Sequence, residues 1–248
     1  DERAKLIIEQ IDHAGLVKLY QQGYFDADAY LDKQTLLLVW DCHDLGLKNC
    51  RSLILDTKRG IIISDKETTR LVNQFIKQQP VGLLLTRALV GSFAKKTPCL
   101  PYVWGKILLV PLSGYTRHAT SWVRLDHVYY DYFSDPDHIT FIFDHDDKTR
   151  YVLPINKKTY LSNLKTTTTI YYKLHQIIHE INADFSLDLP NDHSLCNLEK
   201  QLDTLSLTAF LDDYLTMIIT LIYRESGVTS ASEVKLIKDR LKQRYDHL

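Results

Sequence analysis

The chain has 248 residues, 45% of them hydrophobic and 25% charged, with only nine glycines and a formal net charge of −1. Such a composition excludes a disordered or collagen-like chain. It supplies enough apolar surface for one large domain, or for a main domain with a smaller one. A charge near zero also excludes a uniformly basic nucleic-acid binder, so any surface for a polyanion has to be local.

In chain order, Leu6, Ile7, Ile11 and Leu19 fall near one face of an amphipathic helix over 3–22, weakened by Gly15. Leu36 to Trp40 reads as a strand, and 52–55 with 60–64 as a hairpin across Asp56-Thr57-Lys58-Arg59. Ser64 and Glu67 have capping-box spacing and open a helix through Leu71, Val72, Phe75 and Ile76, which Pro80 stops. Arg70 and Lys77, seven apart, share a face of that helix. The branched and aromatic runs 83–93, 102–112, 121–133, 139–143 and 150–155 predict strands, with a hairpin over 139–155.

Helical spacing returns over 158–182, where Leu161, Leu164, Tyr171, Leu174, Ile178 and Ile181 form a stripe. The Thr166–Thr169 run is a poor helix former and needs tertiary support. A connector with Pro190-Asn191-Asp192 leads to helical spacing over 197–224 and 230–245. These elements predict an α+β fold. Its expected parts are an N-terminal helical segment (1–34), a β-rich core with packed helices (35–182) and a helical C-terminal extension (183–248).

Cys42, Cys50, Cys99 and Cys196 form no CxxC pair and read as reduced thiols of a cytoplasmic protein. The longest apolar runs are strand length, against the ~20 residues a membrane-spanning helix needs; no membrane association is expected.

Charge is unevenly distributed. Residues 1–67 carry twelve acids and nine bases, and residues 126–248 nineteen and thirteen. Residues 68–125 carry no acid and eight bases: Arg70, Lys77, Arg87, Lys95, Lys96, Lys106, Arg117 and Arg124. A second acid-free window, 148–179, holds Lys157, Lys158 and Lys165. Such clustering presents a local positive surface.

Catalytic and metal patterns are weak. His175 and His179 share a helix face, but no HExxH arrangement exists. Asp144, Asp146 and Asp147 lack the glycine and closing glutamate of a calcium loop and read as a turn. No nucleophile elbow, phosphate loop or dinucleotide fingerprint is present. No cofactor and no enzymatic activity are therefore expected. Arg and Lys interspersed with Thr, Ser, Tyr and Asn instead suit phosphate contact, and Arg suits a narrow A·T minor groove. The candidate DNA-contacting residues are Arg87, Lys95, Lys96, Lys106, Arg117, His118, Arg124, Lys157, Lys158 and Lys165. Trp104 and Trp122, at alternating strand positions among them, read as core rather than as base-stacking platforms.

The stretch Ser113-Gly114-Tyr115-Thr116-Arg117-His118-Ala119-Thr120-Ser121-Trp122-Val123-Arg124-Leu125-Asp126-His127-Val128 resembles the corresponding segment of bacterial competence transcription factors of the ComK type. The Leu153-Pro154-Ile155-Asn156 segment with Tyr160 and the helix bearing Tyr171 is similar to a later part of that family, and Gly91 to Lys96 is compatible with an earlier one. The resemblance covers about 35–180. It implies a transcriptional activator of DNA-uptake genes that binds A·T-rich double-stranded promoter boxes, chiefly through the minor groove, as a homodimer or higher assembly. It also implies control by an adaptor–protease system. The acidic C-terminal extension is expected to serve dimerisation, contact with RNA polymerase or regulation. Two alternatives stay open: a protein-interaction or regulatory module without DNA binding, and an enzyme acting on nucleic acid, for which Asp126, His127 and Asp131 are the residues to examine.

Overall fold

The computed structural model of the chain describes residues 7–91, 100–113 and 120–185, together with eight positions between 216 and 240. The fold is α+β. In chain order the elements are β1 (Ile7–Gln10), α1 (His13–Gln22), β2 (Tyr24–Phe25), β3 (Leu36–Asp41), β4 (Ser52–Asp56), β5 (Gly60–Ser64), α2 (Thr68–Lys77) and α3 (Leu83–Gly91). They continue with β6 (Tyr102–Trp104), β7 (Ile107–Pro111), β8 (Trp122–Arg124), β9 (Val128–Asp135), β10 (His138–Phe143), β11 (Asp146–Leu153) and α4 (Lys157–Phe185).

The strands form two sheets, one of four in the order β1-β11-β10-β9 and one of seven in the order β2-β5-β4-β3-β8-β7-β6. Alternation along each strand gives both sheets an apolar face. Leu38, Leu53, Leu55, Val110 and Val123 of the large sheet meet Ile139, Phe141, Phe143 and Leu153 of the small one in a shared core. The other face of the large sheet offers Val39, Ile54, Ile62, Leu109 and Trp122, and α2 covers it with Leu71, Val72, Phe75 and Ile76. At the β6 edge, Val90 of α3 and Ile170 and Leu174 of α4 close a third cluster over Val103.

The two hairpins read from sequence are present: β4 pairs antiparallel with β5, and β10 with β11. The β4–β5 turn uses Gly60 at φ +74, a left-handed conformation that costs glycine nothing. The helix expected after Ser64 is α2, ending at Lys77 before Pro80. Its capping box does not form. Glu67 is itself the cap residue and pairs with Arg51 at 2.8 Å, while Ser64 Oγ accepts the Lys66 N–H.

Three expectations are corrected. Residues 3–22 are not one helix: 7–10 form β1, which pairs parallel with β11, and α1 starts only after Asp12, whose carboxylate accepts the Gly15 N–H at 2.8 Å. The strand-to-helix turn is so tight that a Cβ on Gly15 would lie 1.5 Å from the Gln10 carbonyl oxygen. Residues 83–91 are helix rather than strand, as their Leu and Ala content favours. Finally, residues 7–34 are not a separate N-terminal helical unit. β1 belongs to the small sheet and β2 to the large one, and Ile11, Leu16 and Leu19 are in the shared core. The proposed C-terminal extension lies outside the described residues apart from the eight isolated positions.

α4 runs farther than 158–182, and its buried stripe differs from the one expected. Tyr160, Asn163, Thr167, Ile170 and Leu174 are buried, whereas Leu161, Tyr171, Ile178 and Ile181 are exposed. Two of the inward residues are polar and are satisfied. Asn163 Nδ2 donates to the Pro111 carbonyl at 2.8 Å, and Thr167 Oγ1 to the Asn163 carbonyl at 2.7 Å. All four threonines of the run donate to the carbonyl four residues back, so their hydroxyls are bonded within the helix. No helix among the described residues is long and apolar enough to cross a membrane.

Candidate nucleic-acid interface

Both ends of the β7–β8 connection, 113–120, are held by hydrogen bonds. Leu112 N–H donates to the Ser121 carbonyl at 2.8 Å, and Ser113 N–H to Thr120 Oγ1 at 3.3 Å. The hydroxyls of Ser113 and Thr120 are 2.5 Å apart. Neighbouring elements clamp the same ends. Thr68 Oγ1, at the start of α2, donates to the Thr120 carbonyl at 2.8 Å. Asp41 N–H, at the end of β3, donates to Ser121 Oγ at 2.9 Å.

The start of α4 lies beside this clamp. Asn156 caps the helix, its Oδ1 accepting the N–H groups of Lys158 at 3.1 Å and Thr159 at 3.3 Å. Asn156 and Thr159 then share a cleft of about 270 Å³ with Trp40, Asp41, Leu112, Ser113, Ser121, Pro154 and Ile155. Thus the base of the 114–119 connection and the first turn of α4 border one depression. Lys157 and Lys158 are exposed beside it. Lys157 Nζ lies 5.4 Å over the Phe133 ring, and Lys165, exposed, follows Lys158 by two turns of helix. Among the described residues Asp41 is the single acid lining the cleft; burial, the largest influence on it, pushes its carboxyl above the ordinary value.

The ten candidate residues therefore separate. Lys158 and Lys165 share a face of α4 at and beyond the cleft, and Lys157, exposed, precedes them over the Phe133 ring. Arg117, His118, Lys95 and Lys96 lie outside the described residues. Lys106, exposed in the β6–β7 turn after Gly105, is at the opposite end of β7 from Ser113, about 20 Å away at the usual rise of a strand. Arg87 is half-buried on α3, which packs on β6 and α4 away from the cleft.

Arg124 is a correction. It is 2% exposed. Nε and Nη2 donate to the two oxygens of Asp126 at 2.9 and 2.6 Å, and Nη1 to the Lys33 carbonyl at 2.7 Å. Asp126 also accepts the Leu108 N–H at 3.0 Å. Burial opposes ionisation of Asp126, yet the Arg124 guanidinium outweighs it and holds the carboxyl below its ordinary value. Arg124 is thus an internal cation tying β8 to β7 and to the 33–35 turn, and its guanidinium is not available to a phosphate. Trp122, beside it in sequence, is buried in the core under α2, and Trp104 is packed against that same core.

Asp126, His127 and Asp131, the residues of the enzymatic alternative, do not gather at the cleft. Asp126 is committed to Arg124. Burial, with the nearby Arg124 charge, lowers the His127 pKa. Asp131 sits beside the Tyr160 hydroxyl.

Sequence reasoning did not single out Ser113, Ser121 and Thr159 as cleft residues. The signal for this end of the molecule was Pro154-Ile155-Asn156 ahead of a helical run, a start signal with Asn as cap. A second basic surface runs along α2, where exposed Arg70 and Lys77 flank Asn73 and Gln74 in a shallow groove of about 410 Å³ that Glu67 closes at one end. No family model, curated protein or solved structure matches this chain.

Proposed function

We propose that the protein binds double-stranded DNA and regulates transcription, in the manner of the ComK-type activators that its 113–128 segment resembles. The observation that carries this reading is the junction just described. Ser113 and Thr120, the clamped ends of a connection whose sequence holds Arg117 and His118, lie near the N-terminus of α4, where Lys157 and Lys158 are exposed. Helix N-termini and lysines supply sequence-independent phosphate contacts. An arginine on an anchored connection suits a narrow A·T minor groove, where the potential is most negative.

The test is equilibrium binding of the full chain to an A·T-rich and a G·C-rich duplex of equal length, with Arg117→Ala alongside. Preferential A·T binding that Arg117→Ala reduces supports the reading. Equal affinity for both duplexes, or none, overturns it.

One observation favours a second reading, a protein-interaction module. Among the described residues, β9 is the outer strand of the small sheet and exposes Tyr129 (75%), Tyr130 (56%) and Tyr132 (41%), an edge with aromatic side chains of the kind that extended peptides join. Under this reading DNA affinity is weak and Tyr130→Lys abolishes partner binding. Under the first, Tyr130→Lys leaves DNA affinity unchanged.

A further inference from the structure

Cys42 and Cys50 flank the β3–β4 loop, and both thiols are buried, at 1% and 4% exposure. They reach the same core by different routes. Cys42 continues the β3 pattern: its N–H donates to the Arg51 carbonyl at 2.8 Å, extending the β3–β4 ladder by one residue, and its side chain follows Leu38 into the core between the sheets. Regular alternation back from Leu53 would point residue 50 to the opposite face. The chain is not regular there. Asn49 takes a left-handed conformation, φ +54, and the Cys50 N–H donates to the Leu47 carbonyl at 3.3 Å. This turn swings Cys50 into the same cluster as Cys42. Each sulfur lies 3.8 Å from a main-chain carbonyl, of Trp40 and Ser52 respectively.

We propose that Cys42 and Cys50 are a redox-modification site, a dithiol that closes reversibly to an intramolecular disulfide. Cys50 adjoins Arg51, the residue that Cys42 bonds across the ladder, and both thiols enter one cluster, so a short approach brings the sulfurs to a bond of about 2.05 Å. The loop that covers them is short and largely exposed at His43, Asp44, Gly46, Lys48 and Asn49, so local opening uncovers the pair without unfolding either sheet. The neighbouring Cys42 thiol lowers the Cys50 pKa below its ordinary value, which favours the thiolate there and makes Cys50 the first nucleophile. With a low-molecular-weight disulfide as oxidant, the Cys50 thiolate attacks one of its sulfurs and expels the first thiol. Cys42 then gives its proton to solvent, attacks Cys50 Sγ and expels the second thiol. Two protein thiols are oxidised and one small disulfide is reduced to two thiols.

The test uses the full chain and oxidised glutathione, with alkylation of remaining thiols and peptide mapping, and needs no DNA. The expected product is lighter by two hydrogen atoms, carries a Cys42–Cys50 cross-link, melts at a higher temperature and reverts with dithiothreitol. Cys42→Ala is expected to stop at a stable glutathione adduct on Cys50. If a variant fails to fold, the native map still decides. A map in which Cys42 and Cys50 both remain alkylatable, or in which either is joined to Cys99 or Cys196 or ends as a glutathione adduct in the native chain, overturns the proposal.

Discussion

Replacing Arg124 with methionine keeps an apolar stem of similar length but removes the three donors that Asp126 and the Lys33 carbonyl use. Asp126, with 14% side-chain exposure, would keep the Leu108 N–H and the His127 ring, whose Nε2 lies 3.9 Å away. Deleting one partner of a buried ion pair costs about 3–5 kcal/mol, because the remaining charge is left uncompensated. With an m-value of about 2 kcal/mol/M, the urea midpoint should fall by about 1.5–2.5 M. The double variant Arg124→Met/Asp126→Leu should recover part of that loss, since it removes the orphaned carboxylate too.

The pH dependence has a definite sign. The folded pKa of Asp126 is depressed below its unfolded value, so the pair's contribution is fully present above about pH 4 and is lost as pH falls through the folded value. The gap between native protein and Arg124→Met should therefore narrow in acid. Urea titrations at neutral and acidic pH measure both effects. A loss under about 1 kcal/mol at neutral pH, against the range for a broken buried pair, would refute the buried-pair reasoning. So would a variant of native stability that no longer binds DNA, which would return Arg124 to the interface.

Gly15→Ala should be among the most damaging single changes, because its Cβ would meet the Gln10 carbonyl oxygen at 1.5 Å. A loss of about 3 kcal/mol or more is expected from thermal or urea unfolding, against about 1–2 kcal/mol for Gly105→Ala, where only the positive φ of 57° is at stake. Asn163→Ala should cost about 1–3 kcal/mol by leaving the Pro111 carbonyl without its buried donor. Hydrogen exchange should then show faster opening of α4 over β7, and unchanged α4 protection would contradict its role as anchor. Thr168→Ala, at an exposed position of the same run, should fall within about 0.5 kcal/mol of the native protein.

Much of the frame was legible because its signals are local. The β4–β5 hairpin, the β10–β11 hairpin and α2 each carry their own turn residues and periodicity. What escaped depends on distant partners. Ile7 and Ile8 sit at helical spacing with Ile11, but parallel pairing with Thr149 and Arg150 makes them strand, and a parallel pair leaves no turn signature nearby. The inward stripe of α4 was misplaced because two of its members, Asn163 and Thr167, are polar and qualify for burial only through bonds to Pro111 and to the helix itself. Arg124 was read as surface because a charge usually is; only the fold brings Lys33 and Phe75 around it and turns Asp126 onto its guanidinium. The basic residues at α4 were legible as an acid-free window, whereas their meeting with the ends of the 113–120 connection was not, since 43 residues separate Ser113 from Asn156.

The most direct test of DNA binding at this junction is a salt titration of affinity for an A·T-rich duplex, comparing the native chain with Lys157→Ala/Lys158→Ala. Each phosphate contact contributes roughly 0.9 to the slope of log affinity against log salt. The double variant should bind more weakly and lose about 2 from that slope, while keeping whatever A·T preference the native chain shows. An unchanged slope, or a native chain whose affinity does not depend on salt, would contradict it.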